Sequence, residues 1–306
     1  MPGIFDPRFA KMLIYSSIFR CVDPILTITA GCSLGKSIFQ TPYGSEESAN
    51  MAKKKFIMGD SDLLAIWKAY SLWKDEFARR PNQIWSYCRQ HFLNHSSLLM
   101  MERHKWQLLK SLIDIGFVDR DKQLGSMRGE ETTKKMCPVP EAFNVNSHSE
   151  SLLGSVIAIG LYDKILQVTN NKAERQGNTE LQSPFLGEMR LFPHPRSMST
   201  LEAPTEWISY RTLMKTSTSR VFACELTPAP PVGLVLAARD CHLQYTKKLI
   251  ILDDKIAFQC WPRTAVMLRL SKRLIWRILE QKVFDPKSQA SEAEEQILMT
   301  IVKNVL

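Results

Sequence analysis

Long apolar runs are missing from this sequence. Residues 233–238 (GLVLAA) are typical of the longest, far short of the ~20 residues that a helix needs to cross a bilayer. Paired cysteines are missing too. The seven cysteines stand singly at positions 21, 32, 88, 137, 224, 241 and 260, so no CxxC spacing offers a zinc site and no disulfide framework is expected. Residues 1–10 (MPGIFDPRFA) lack the basic-then-apolar order of a secretory signal, which points to a reducing, intracellular setting, cytoplasmic or nuclear. Ligand spacing is absent among the six histidines: His91 and His95 are four apart, but no Glu or Cys joins them. No Ser/His/Asp or Cys/His arrangement is supported locally either, and no internal repeat is visible.

What is present is the composition of a globular protein. Its 306 residues are 44 % hydrophobic and 23 % charged, enough to build a core in each of two ordinary domains. Forty Lys and Arg against 31 Asp and Glu give a net charge of +9, which permits a polyanion or an acidic surface as partner without requiring one.

Residues 6–31 read as two short helices. Asp6 caps the first, Pro7 takes its first helical position, and Asp23-Pro24 repeats the signal. Residues 41–55 (TPYGSEESANMAKKK) read as a polar loop. A long helix starts at Ser61-Asp62, with Leu63, Leu64, Ile66, Trp67, Tyr70 and Trp73 on one broad face, and residues 84–117 continue the helical pattern until Gly116. Residues 119–147 lose periodicity and read as a boundary. After a helix over residues 150–161, the character changes to short β-branched and aromatic runs at 164–169, 207–210, 220–226, 233–237 and 249–258. Five such strands suggest a small barrel. Residues 262–283 then read as a basic helix carrying Arg263, Arg269, Lys272, Arg273, Arg277 and Lys282 against Glu280, and a short amphipathic helix ends the chain.

Two motifs suggest chemistry. Residues 30–37 (AGCSLGKS) fit a loose phosphate-loop pattern in which Lys36 would reach phosphates, and residues 249–254 (LIILDD) resemble a magnesium-holding acidic strand. No βαβ alternation connects them and the first sits inside a helical region, so the match is read as coincidence. The second motif is a pair of polar connections in the strand-rich half. Residues 191–199 present His194, Arg196 and Ser197, and residues 215–220 (KTSTSR) present Lys215, Thr216, Ser217 and Arg220. Cations supply affinity for phosphates and hydroxyls supply register, although a soluble hairpin loop has the same composition. The tryptophans at helical spacing read as core.

Several segments resemble the helicase-associated helical domain of the DEAH/RHA-type RNA helicases. They are residues 5–13 (FDPRFAKML), 18–28 (IFRCVDPILTI), 59–65 (GDSDLLA), 70–73, 87–93 (YCRQHFL) and 107–118. Residues 191–197 resemble that family's hydrophobic–His–Pro–Ser element, with an extra proline and with Arg196 in place of serine. Residues 207–210, 214–217, 249–258 and 262–265 resemble its OB-fold and closing helix. The match covers most of residues 5–284. One departure is Ser61-Asp62-Leu63, where many relatives carry Ser-Asp-His.

The resemblance implies an α+β multi-domain chain. Residues 1–120 would form a ratchet-like helical bundle and 121–149 a linker. Residues 150–284 would form an OB-fold barrel closed by the basic helix, and 285–306 a tail helix. It implies an accessory module that grips single-stranded RNA by its backbone, with His194, Arg196, Ser197, Lys215, Thr216, Ser217 and Arg220 as contacts. RecA-like motor domains on upstream polypeptide would hydrolyse ATP with magnesium. The family's own phosphate loop, DEAH box and arginine fingers are not found here, so no cofactor and no catalytic residue is expected in this chain. Protein cofactors are expected partners and a membrane is not. Two alternatives stay open: a stand-alone protein-interaction module or truncated paralogue, and a small phosphate-loop NTPase using Lys36.

Overall fold

The computed structural model describes residues 6–119, 136–169, 180–187, 189–201, 206–217, 219–285 and 292–304. They divide into two compact units. One comprises Leu13–His148 with Met198–Thr200, the other Met1–Met12 with Ser149–Ser197 and Leu201–Leu306.

Capping residues place the helices of the first half. Helix α1 (Pro7–Ile18) starts where Asp6 Oδ1 accepts the Arg8 N–H at 3.0 Å and proline fixes the first helical φ. Helix α2 (Val22–Ser33) follows, and α4 (Asp62–Arg79) is capped by Ser61, whose hydroxyl accepts the Leu64 N–H at 3.1 Å. The helical stretch expected over 84–117 is two helices, α5 (Ile84–Gln90) and α6 (His95–Asp114). Phe92 takes a left-handed φ of 53° between them, and Asn94 caps α6 by accepting the Ser97 N–H at 3.0 Å. Gly116, at φ 80°, ends α6 as the sequence suggests, with the Phe117 N–H donating to Leu112 O at 2.9 Å. The polar loop expected over 41–55 is corrected in its second half. Glu46–Lys54 form helix α3, with Glu46 and Glu47 in the first turn and Lys53 and Lys54 in the last, the distribution that complements the helix dipole. The core lies along α2, whose Ile25, Leu26 and Ile28 are wholly buried against α4 and α6.

The second unit is built on helix α7 (Glu150–Gly160), capped by Ser149. Its main partner is α8 (Pro231–Ala237), and this corrects the strand expected at 233–237. An apolar run of five residues has no period that separates strand from buried helix. Pro231 at the start and the close approach to α7 decide for helix. A Cβ on Gly233 would lie 2.7 Å from Ser155 Cα and 2.9 Å from Ser155 O, so only glycine lets the two helices meet here. Gly233→Ala is expected to destabilise the unit by ~1–3 kcal/mol, seen as a lower urea midpoint at unchanged slope.

Seven strands form one sheet: β1 (Ile165–Thr169), β2 (Glu180–Gln182), β3 (Arg190–Pro193), β4 (Trp207–Ser209), β5 (Thr212–Lys215), β6 (Val221–Cys224) and β7 (Thr227–Pro228). Their order is β5-β6-β3-β2-β1-β4-β7, and among the described residues β3 and β6 alone run parallel. Leu166, Leu181, Leu191, Ile208 and Ala223 are wholly buried on the inner face. A second sheet, β8 (Cys241–Gln244), β9 (Leu249–Leu252) and β10 (Ile256–Gln259), is an antiparallel meander. The single strand expected over 249–258 is therefore a hairpin. Asp253 and Asp254 both take left-handed φ, 49° and 55°, in the three-residue connection that lets Ile256 pair with Leu252. Helix α9 (Pro262–Phe284) and helix α10 (Glu292–Asn304) follow, joined by an Arg277–Glu294 ion pair of 2.6 Å. The chain is α+β, helices first and sheets after. The hydrogen-bonded strand order is open at β5 and β7 among the described residues. None of their helices is long and apolar enough to cross a membrane.

Candidate nucleic-acid interface

The site residues expected from the sequence lie at the ends of three adjacent strands, β3, β6 and β5: Lys215 closes β5, and the others lie in the loops that follow β3 and join β5 to β6. His194 follows β3, and its N–H donates to Ala223 O of β6 at 3.0 Å. Its Nδ1 accepts the Arg196 N–H at 3.1 Å, while the Ser197 N–H donates to His194 O at 2.8 Å. These bonds fold residues 194–197 into a tight turn. Burial and the neighbouring Arg196 charge lower the imidazole pKa, so the ring is neutral at pH 7. With Nδ1 accepting, Nε2 carries the proton and is a neutral donor for a phosphate or ribose oxygen.

The other cluster is the hairpin joining β5 to β6. The Thr216 N–H and hydroxyl both donate to Arg220 O, at 2.9 and 3.2 Å, and Ser219 takes a left-handed φ of 60°. Thr216 therefore shapes the turn and keeps only acceptor capacity, while Lys215, Ser217 and Arg220 are exposed.

Parallel pairing keeps the two clusters apart. Leu191 faces Val221 and Pro193 faces Ala223, so the His194 turn lies at the end of β6 remote from the hairpin. Arg220 and Cys224 are four strand steps apart, ~13 Å. Lys215 and Arg220 also lie on opposite faces of the ribbon, because Lys215 pairs with Val221.

Sequence reasoning missed what occupies the space between the clusters. Arg190, Phe192 and His194 alternate with Leu191 and Pro193; Arg220, Phe222 and Cys224 alternate with Val221 and Ala223. The repeated Arg-x-Phe pattern was visible, but its meaning depends on the parallel register that sets Phe192 beside Phe222.

Other candidates resolve into structure. Ala30–Ser33 belong to helix α2, and a Cβ on Gly31 would meet Ile66 Cγ2 at 2.8 Å. The phosphate-loop segment thus leaves a helix rather than a strand and packs where a cradle would open. Asp253 is a turn residue that accepts the N–H groups of Asp240, at 2.6 Å, and Arg239, at 3.2 Å. The ring of His95 sits among Trp73, Phe77 and Trp85, and its Nδ1 accepts the Trp73 indole N–H at 3.1 Å.

Two family models match the sequence: the helicase associated domain (HA2), ratchet-like, over residues 6–66, and the C-terminal domain in RNA helicases over residues 248–306. The ATP-dependent RNA helicase DHX29 of Homo sapiens is 31 % identical over 301 residues, covering 97 % of this chain and 21 % of the relative. The ATP-dependent DNA/RNA helicase DHX36 of Mus musculus is 26 % identical over 284 residues, covering 92 % and 27 %. The chain carries the ratchet-like helicase-associated domain and the C-terminal domain of the DEAH-box RNA helicases. It spans about a fifth of the length of its DHX29 relatives.

Within the ratchet-like domain of this helicase-family chain, Leu63 of the Gly59–Leu63 segment is wholly buried in the core. The two aspartates beside it hold residues 198–200. Asp62 Oδ1 accepts the Met198 N–H at 2.6 Å. Asp60 accepts the Thr200 N–H at 2.7 Å, the Ser199 hydroxyl at 3.0 Å and the Thr200 hydroxyl at 3.1 Å. Asp60→Ala is expected to destabilise this anchor by ~1–2 kcal/mol. Faster amide exchange at Thr200, with helix α4 unaffected, is the measurement that checks it.

Proposed function

We propose that this chain is the accessory RNA-gripping module of a DEAH-box helicase. It would hold single-stranded RNA by its sugar-phosphate backbone, while RecA-like domains on other polypeptide hydrolyse ATP with magnesium and unwind. The observation that carries this reading is the ribbon β3–β6–β5, which presents Arg196 and the neutral His194 donor at one end and Arg220 with Lys215 at the other. Cations with fixed backbone turns suit phosphate contact without base preference, and a translocating enzyme needs that neutrality. The names of the relatives, which are ATP-dependent RNA and DNA/RNA helicases, support the same reading.

The proposal includes an OB-type barrel over residues 150–284, between a bundle over 1–120 with its linker to 149 and a tail from 285. Strands β4 and β5 are separated only by Tyr210 and Arg211, yet β4 pairs with β1 and β5 with β6. One run of chain thus links the far sides of the sheet, the connection that barrel closure needs.

The test is binding of a fluorescein-labelled single-stranded RNA to the purified chain across a salt series, alongside an ATPase assay. Binding that weakens linearly in log–log salt, without turnover, supports the proposal; salt-independent or absent binding overturns it. A protein-docking module is the second reading, favoured by Met267, Leu270 and Trp276 of α9, each more than half exposed.

A further inference from the structure

We propose that the outward face of the β3–β6–β5 ribbon is a stacking site for unpaired nucleobases, with Phe192 and Phe222 as the platform. This rests on the RNA reading above and goes beyond it, because it adds base contact to a module otherwise limited to the backbone.

The register builds the face row by row. Phe192 is beside Phe222, and Phe222 beside Met214; one step towards the hairpin, Arg190, Arg220 and Thr216 are in line. The opposite face carries Leu191 and Ala223, both wholly buried, so alternation turns the two phenylalanine rings away from that core. Both are half-buried and Met214 is 43 % exposed. The ring centroids are 6.3 Å apart, His194 meets Phe222 edge-on at 5.9 Å, and the Arg220 guanidinium stands 6.0 Å from the centre of Phe192. Arg190 is 3.6 Å from Glu180 but is itself largely exposed, a pair too solvated to neutralise it.

An apolar row on a sheet face, with arginines at one end and a histidine turn at the other, matches single-stranded RNA in its charge and in its flat bases. A strand held by phosphates at both clusters must cross the phenylalanine row between them. Stacking is tolerant of sequence, since every base has a π-face, so the platform adds affinity without base preference.

The experiment compares wild type, Phe222→Leu and Phe222→Tyr on two single strands of equal length, one oligouridylate and one abasic ribose-phosphate. On oligouridylate Phe222→Leu is expected to bind at least ~5-fold more weakly with the salt slope unchanged, and Phe222→Tyr to bind like wild type. On the abasic strand all three should bind alike. Equal binding of wild type and Phe222→Leu to oligouridylate, or an equal loss on the abasic strand, overturns the stacking site alone. Failure of wild type to bind either strand overturns the RNA reading and this inference with it. A strand containing 2-aminopurine gives a readout that needs no variant: its fluorescence should be quenched at saturating wild-type protein, and unchanged fluorescence overturns the proposal.

Discussion

Replacing Lys105 with alanine is expected to cost the helical unit about 3 kcal/mol. Lys105 lies on α6 and is wholly buried, with Nζ 2.6 Å from Asp23 Oδ1 of α2 and 4.5 Å from the centre of the Tyr70 ring. The Tyr70 hydroxyl donates to Glu102, which also accepts the Cys137 N–H. Truncation would leave the Asp23 carboxylate without its cation and open a cavity beside Tyr70. Removing one partner of a buried pair costs ~3–5 kcal/mol, and the lower end applies because the Asp23 side chain is 26 % exposed. Replacing both partners with apolar residues, Lys105→Met with Asp23→Leu, should recover most of the loss, since the desolvation penalty then disappears as well. Urea midpoints of the three proteins decide this; a single variant as stable as wild type would refute it.

The same pair predicts a pH dependence. Burial raises the Asp23 pKa, but the charge and hydrogen bond of Lys105 and the charge of Lys74 outweigh it, so the carboxyl titrates below its usual range. A depressed carboxylate contributes stability that is complete above the unfolded pKa, about 3.9, and is lost as pH falls through the folded value. The stability gap between wild type and Lys105→Met should therefore be widest near pH 7 and narrow as pH falls into the acid range, where the carboxyl that has lost its cation takes up a proton first.

Local chemistry was legible in the sequence, and long-range pairing was not. Asp6 with Pro7, Ser61, Gly116 and Pro262 each mark a helix end that the structure contains, because a cap or a fixed φ acts over three or four residues. Residues 233–237 failed as a strand because their fate is decided by Ser155 on another helix, some 80 residues away in sequence. The Asp-Asp turn in 249–258 was hidden by apolar neighbours, although two left-handed residues there make a hairpin. At the site, the polar loops themselves could be found. That His194 and Arg220 lie at opposite ends of a parallel ribbon, with two phenylalanines between, is set by the β3–β6 register, which no local pattern encodes.

Removing the three exposed cations of the interface together, Arg196→Ala, Lys215→Ala and Arg220→Ala, is expected to weaken RNA binding about 100-fold at 0.1 M salt. Each phosphate contact on a single strand contributes about 0.7 to the slope of log K against log salt. Three contacts make a slope of about 2, and over the decade from 1 M to 0.1 M that is about two powers of ten. The two lines should therefore converge near 1 M, where counterion release no longer favours the wild type. Each single variant should flatten the slope by about 0.7. His194→Ala behaves differently: its imidazole is neutral at pH 7 because burial and Arg196 lower its pKa, so its loss weakens binding at every salt concentration and leaves the slope unchanged. Parallel salt lines for wild type and the triple variant would show that these cations touch no phosphate. In that case the solvated-loop reading of residues 215–220 would hold.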